Sequence, residues 1–237
     1  MATAEPQTVT TVRNHWWWRP GWRPGRHFYA CHLTLNNQPQ LRTLVKQCQD
    51  AITHLPDLDL IPPQWLHITM QGIGFVDEIG EADLAAVTKR IGETLRYSKP
   101  PAATFHRPAI RPEAVTFKAN TPEPLYQLRL AMHGAIASVL GPAKFHEPMP
   151  APEQFAPHVS AAYVNSDGSA KPIANAIGSI DFQAVTATFD TASLLVFHRD
   201  RRCTSGRRPP RCRSARRASA PRQQRWSCNR LRFGLFF

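Results

Sequence analysis

Two short stretches of this 237-residue chain nearly repeat one another, with their histidines 91 residues apart. They are Pro63-Gln64-Trp65-Leu66-His67-Ile68-Thr69-Met70 and Phe155-Ala156-Pro157-His158-Val159-Ser160-Ala161-Ala162. In each, a histidine follows a proline-marked turn, then come a β-branched apolar residue and a hydroxyl residue. Side chains alternate faces along a strand, so His67 shares a face with Thr69, and His158 with Ser160. A chain that builds this unit twice can bring two imidazoles and two hydroxyls into one cleft. That set suits acid–base chemistry on a phosphodiester.

The pattern around the two motifs is mixed α and β. Apolar spacing predicts strands over residues 27–35, 65–73, 103–110, 114–118, 158–164, 182–189 and 192–198. Helical stripes run over 40–52 (Leu41, Leu44, Val45, Cys48) and 81–95 (Leu84, Val87, Ile91, Leu95). A third helix over 124–140 ends at Gly141-Pro142, and a short one covers 173–177. Arg111-Pro112-Glu113 reads as a turn, and residues 145–156 as a proline-rich loop. Strand–helix–strand order occurs in both halves, with one motif strand in each. The reading is an α+β fold with internal duplication.

The formal net charge of +12 suggests nucleic acid until it is located. Residues 198–237 hold 13 Arg and a single acid, Asp200, whereas residues 1–197 hold 16 basic and 16 acidic residues. The body is neutral, so the overall charge says nothing about its cleft. Cys31, Cys48, Cys203, Cys212 and Cys228 make an odd number without metal-site spacing, which argues against a disulfide framework and structural zinc. No apolar run approaches the roughly 20 residues that span a bilayer, and no signal peptide is evident. A cytoplasmic monomer with no membrane partner is expected.

Residues 1–26 form an N-terminal arm in which Arg-Pro-Gly occurs twice, in Trp16-Trp17-Trp18-Arg19-Pro20-Gly21-Trp22-Arg23-Pro24-Gly25. Its tryptophans either stack on a nucleobase, with Arg19 and Arg23 at phosphate, or pack over the sheet and hold the N-terminus down. Packing is the favoured reading.

Catalysis on a phosphodiester needs a base for the attacking hydroxyl or water and an acid for the leaving oxygen. Imidazole serves as either near neutrality. In-line attack sets base and acid on opposite sides of phosphorus, which two histidines on related strands can satisfy. Thr69 and Ser160 can then donate to the non-bridging oxygens. The arrangement requires neither metal nor cofactor.

The paired His67-Ile68-Thr69 and His158-Val159-Ser160 resemble the signature of the 2H phosphoesterase superfamily, which includes 2'-5' RNA ligase and cyclic phosphodiesterase enzymes. The Trp-rich arm, His67-Ile68-Thr69-Met70-Gln71-Gly72 and Pro157-His158-Val159-Ser160-Ala161-Ala162-Tyr163 are similar to a bacterial branch of 2'-5' RNA ligase-like proteins. The likeness covers about residues 15–202. It implies two pseudo-symmetric lobes whose antiparallel-rich sheets flank a central cleft, with helices outside, in a domain over residues 27–202. It also implies His67 and His158 as catalytic, Thr69 and Ser160 as phosphate-binding, and RNA ends or small cyclic nucleotides as substrate. The implied activity is cleavage of a 2',3'-cyclic phosphate or a 2'-5' linkage; the alternative is an RNA-binding protein without turnover.

Three further residues are candidate substrate contacts. His32, in His32-Leu33-Thr34, mimics the motif but lacks the proline turn, and reads first as a hydrogen-bonded strand residue. Gln71 should share the motif face. Tyr163, five residues beyond His158, falls on the opposite face under strict alternation, so a substrate role requires a bulge or the strand end.

After Arg202 the composition turns abruptly to Arg, Ser, Pro and Cys. The resemblance implies a continuation Met-Tyr-Glu-Trp, encoded ATG TAC GAG TGG. Loss of the first A gives TGT ACG AGT GG, which reads Cys-Thr-Ser-Gly, the residues at 203–206. Residues 203–237 are therefore read as an out-of-frame or disordered tail, with an arginine-rich RNA-binding tail as the competing reading.

Overall fold

The structure, a computed structural model, describes residues 9–145, 147–149 and 151–199, together with the backbone of Phe233–Gly234. The tail read at 203–237 otherwise lies outside the described residues. So do part of the proline-rich loop and residues 1–8.

The elements run β1 Thr11–Val12, β2 His27–Thr34, α1 Pro39–Ile52, β3 Leu58–Leu60, β4 His67–Phe75, α2 Glu81–Leu95, β5 Ala102–Phe105, β6 Pro108–Arg111, β7 Ala114–Lys118 and α3 Glu123–Leu140. They continue with β8 His158–Val164, β9 Gly168–Ser169, α4 Lys171–Gly178, β10 Val185–Thr188, β11 Thr191–His198 and β12 Phe233–Gly234. A 3-10 turn, Pro63–Trp65 in one case and Pro152–Gln154 in the other, precedes each motif strand. The stretch 103–110, which alternates like one strand, divides at His106-Arg107 into β5 and β6. Pro108, which lacks an N–H, opens the second piece, and β5 leaves to pair with β10.

Seven strands follow the antiparallel order β12-β11-β2-β4-β8-β7-β6, and β3 pairs with β8 to complete the eight-stranded sheet. The two motif strands stand side by side at its centre. They are joined through one paired rung, Ile68 with Val159, whereas β2–β4 and β7–β8 pair over most of their length. The sheet thus consists of two halves that meet between the motifs, which is the two-lobed α+β architecture the resemblance implies.

The buried alternates of the motif strands fix which face is inside. Ile68, Met70, Val159 and Ala161 are fully buried, and helix α3 packs against β4 while α1 packs against β8 and α4. Burying each Ile or Val side chain contributes about 1.5–3 kcal/mol. A one-residue slip of either strand would put these groups in water and the histidines in the core. Among the described residues no helix is long and apolar enough to cross a membrane.

Candidate active site

Each motif histidine opens its strand shortly after a 3-10 turn, and its ring bonds back to the carbonyl two residues before it. His67 Nδ1–H donates to the Trp65 carbonyl at 2.6 Å, and His158 Nδ1–H donates to the Ala156 carbonyl at 2.8 Å. A carbonyl only accepts, so the neutral rings carry their proton on Nδ1 and keep Nε2 for the cleft. The same local bond thus sets the tautomer and aims the ring in both halves.

The rung Ile68–Val159 places His67 across from Ser160 and Thr69 across from His158. The four residues form a rectangle on one face, with the two histidine positions on a diagonal of about 7–8 Å between backbones. All four line a cavity of about 490 Å³. Burial lowers the pKa of His67; the bond to Trp65 opposes this, and the nearby His158 lowers it further. Burial also lowers the pKa of His158; the bond to Ala156 opposes this, and the Arg111 charge adds to the lowering.

Bulges follow both hydroxyl residues and decide what else reaches the cleft. In β4, Thr69 pairs with His32 and Gln71 with Cys31, which leaves Met70 as an extra residue. After Thr69 the motif face therefore resumes at Gly72, which has no side chain to present. Gln71, expected on that face, is turned inward with its side chain fully buried, and its amide donates to the Gly72 carbonyl. In β8, Ser160 pairs with Thr116 and Ala162 with Val115, which leaves Ala161 extra. Here the bulge returns Tyr163 to the face of His158 and Ser160, and Tyr163 lines the cavity. Strict alternation fails at both positions because an inserted residue shifts the strand by one.

His32 stands on the motif face but behind the cavity wall. It is 3% exposed, its ring meets the His67 ring edge-on at 4.6 Å, and its Nδ1–H donates to the Ala30 carbonyl at 3.1 Å. Burial, and then the neighbouring His67, hold its pKa down at about 3. The ring is a neutral support for His67.

The cavity has walls that the motif pattern does not announce. Thr116, in register with Ser160, is fully buried, and its Oγ1 has no hydrogen-bond partner among the described residues. Beyond it the β6–β7 turn contributes Arg111 and Glu113. Glu113 gathers the arm. It accepts from Arg13 Nη2 at 2.8 Å, Trp17 Nε1 at 3.0 Å and Arg19 Nη2 at 2.7 Å, and His15 Nδ1 lies 3.4 Å away. His15 also stacks on Tyr163 with centroids 4.0 Å apart. Burial, then the Arg199 and Arg19 charges, take its pKa down to about 4. Trp16 Nε1 donates to Asp59 at 2.8 Å.

The arm is therefore both packed down and part of the cleft. Arg23 faces away in an ion pair with Asp77 at 2.8 Å. The sequence signals for these contacts were slight, because Glu113 was legible only as a turn residue. Among the described residues no group of three or more His, Cys, Asp or Glu is arranged to hold a metal ion.

Comparison with known proteins gives a consistent picture. The family described as the 2'-5' RNA ligase superfamily matches residues 38–201. Among solved structures the chain is similar to TT0787 of Thermus thermophilus, at 18% identity over 72% of this chain and 87% of that one, with a TM-score of 0.51. It is also similar to LigT of E. coli in its apo form, at 16% identity over 75% and 91% of the two chains and a TM-score of 0.47. The E. coli LigT structure complexed with 3'-AMP gives 16% identity, the same two coverages and a TM-score of 0.46. No curated protein matches the sequence. At 18% identity the likeness to TT0787 is one of fold.

Proposed function

The chain belongs to the 2'-5' RNA ligase superfamily of two-histidine phosphoesterases, and on that premise we propose that it cleaves a 2',3'-cyclic phosphate, or a 2'-5' phosphodiester, of RNA or a nucleotide. The observation that carries this reading is the rectangle of His67, Thr69, His158 and Ser160 on one open face.

In the proposed reaction on a cyclic phosphate, the neutral Nε2 of one histidine takes a proton from water as its oxygen bonds to phosphorus. The bond from phosphorus to the 2' or 3' oxygen breaks on the far side. The other histidine, protonated, gives its Nε2 proton to that leaving oxygen. Thr69 and Ser160 hydroxyls donate to the non-bridging oxygens as their charge grows. The near two-fold arrangement makes the two histidines exchangeable between the forward and reverse directions.

The test is incubation of the full chain with a panel of 2',3'-cyclic nucleotides and cyclic-phosphate-ended RNA, with products followed by chromatography. Conversion to 2'- or 3'-monophosphates is the expected result. RNA that binds and is recovered unchanged would overturn the reading in favour of binding without turnover.

A further inference from the structure

The motif rectangle fills only one end of the cavity. The other end is cationic: among its lining residues Arg13, Arg19 and Arg111 stand against a single carboxylate, Glu113. His15 adds no charge near neutrality. The positive excess is local, since residues 1–197 balance overall.

Arg111 differs from the two arm arginines. It is only half-buried, lines the cleft, and makes no ion pair with any described carboxylate. Arg13 and Arg19 are drawn to the same place by Glu113, so several guanidinium groups converge where one carboxylate cannot neutralise them. Glu113 sits between Arg13 and Arg19, and with Arg111 added the group keeps an excess of positive charge that favours a further anion. The guanidinium fork matches phosphate geometry in particular.

Position relates this end to the reacting end. Arg111 pairs with Ala114, and Ala114 with Tyr163, whereas Thr116 pairs with Ser160. The two ends are thus two rungs apart along β7, about 7 Å. That spacing suits adjacent phosphates of one nucleotide. Tyr163 lies on the Arg111 rung and lines the same cavity.

We propose that Arg111, with Arg13 and Arg19, forms a second phosphate subsite, so that the preferred substrate bears a 5'-phosphate on the nucleoside whose cyclic phosphate reacts. This is the arrangement at a 3' end of RNA, where the terminal nucleoside is joined through its 5' oxygen. The subsite rests on the phosphoesterase reading above and names its substrate class.

The experiment compares kcat/KM of the full chain for adenosine 2',3'-cyclic phosphate with and without a 5'-phosphate. The comparison is repeated for Arg111→Gln and Arg19→Gln, using the ratio of the two substrates within each protein as the readout. The expected result is a preference of about tenfold or more for the 5'-phosphorylated substrate, carried by KM, that shrinks toward unity in the variants. Equal kcat/KM in the wild type overturns the subsite, and a preference that survives both substitutions overturns the assignment to these arginines. If neither nucleotide turns over, the phosphoesterase reading fails separately. The subsite is then judged by calorimetry with adenosine 3',5'-bisphosphate and 3'-AMP. Tighter binding of the bisphosphate that Arg111→Gln abolishes supports it, and equal binding overturns it.

Discussion

Gln49 holds Ala161 from beneath the sheet. Its Nε2 donates to the Ala161 carbonyl at 2.8 Å and to the Ile61 carbonyl at 2.8 Å, and the Ile61 N–H reaches the same Ala161 oxygen at 3.0 Å. The bulge that turns Tyr163 toward the cleft is therefore clamped by helix α1. Gln49→Leu keeps the volume but leaves the Ile61 carbonyl without this donor, at a cost of about 1–3 kcal/mol. A lowered melting temperature together with a raised KM for cyclic nucleotides is expected. Unchanged values of both would show that the bulge holds itself.

His67→Ala and His158→Ala should each lower kcat by about 10²-fold or more, the scale of a lost general acid or base. The hydrogen bond of each ring goes to a carbonyl two residues away, so melting curves should stay near that of the parent. Full turnover by both variants would remove these residues from the chemistry.

Activity should peak on the acid side of the free-imidazole value of 6.5. The proposed reaction needs one neutral and one protonated ring, and both motif histidines are held below that value by burial. Lowering both moves the whole bell toward acid, so kcat/KM should fall as pH rises above 6.5. Arg111→Gln removes a cation that lowers the His158 pKa, and one limb of the profile should move to higher pH. A profile centred above pH 7 would contradict the electrostatics.

Folding stability should decline on acidification before the carboxylates titrate. His32, at about 3, and His15, at about 4, are neutral in the folded chain and protonate near 6.5 when it unfolds. The unfolded state then binds more protons. Stability is complete above pH 6.5, and each unit below it costs about 1.4 kcal/mol per histidine until the folded pKa is reached. Denaturant melts from pH 7 to 4.5 should show this slope. His32→Asn should flatten it, whatever its effect on stability at pH 7.

Removing the Glu113 carboxylate should free the arm. Glu113→Ala deletes the acceptor for Arg13, Trp17 and Arg19 at once, and the remaining cations then repel. Faster tryptic cleavage after Arg13 is the expected sign, read by mass spectrometry. Cleavage at the parental rate would mean that the packing of His15 and Trp16 on Tyr163 suffices.

The regular elements were legible where side-chain period and chain punctuation agreed. Helix Glu81–Leu95 carries a clear stripe, and strand His158–Val164 is bracketed by Pro157 and a turn, so both have the bounds that the pattern predicts. The four motif side chains were legible because two matching units can share one face only in a few ways. The bulges were not. Met70 and Ala161 are ordinary apolar residues, and nothing in their identity marks an inserted position. The wall at Glu113 was hidden for another reason, since its partners lie 94 to 96 residues away for Arg19 and Trp17. Local pattern carries no information across such a gap. The neutral total for residues 1–197 likewise concealed a cleft in which cations gather.

Twin histidine units, taken alone, would let a bound phosphodiester lie either way round. The two bulges match each other and leave that tie in place; it is broken by the residue each brings to the motif face, Gly72 in one half and Tyr163 in the other. The cleft thereby acquires a furnished end and a bare one. Substrate polarity, and with it the identity of the departing oxygen, would be dictated by that one exchange of hydrogen for a phenol ring, with the symmetric quartet indifferent to the choice.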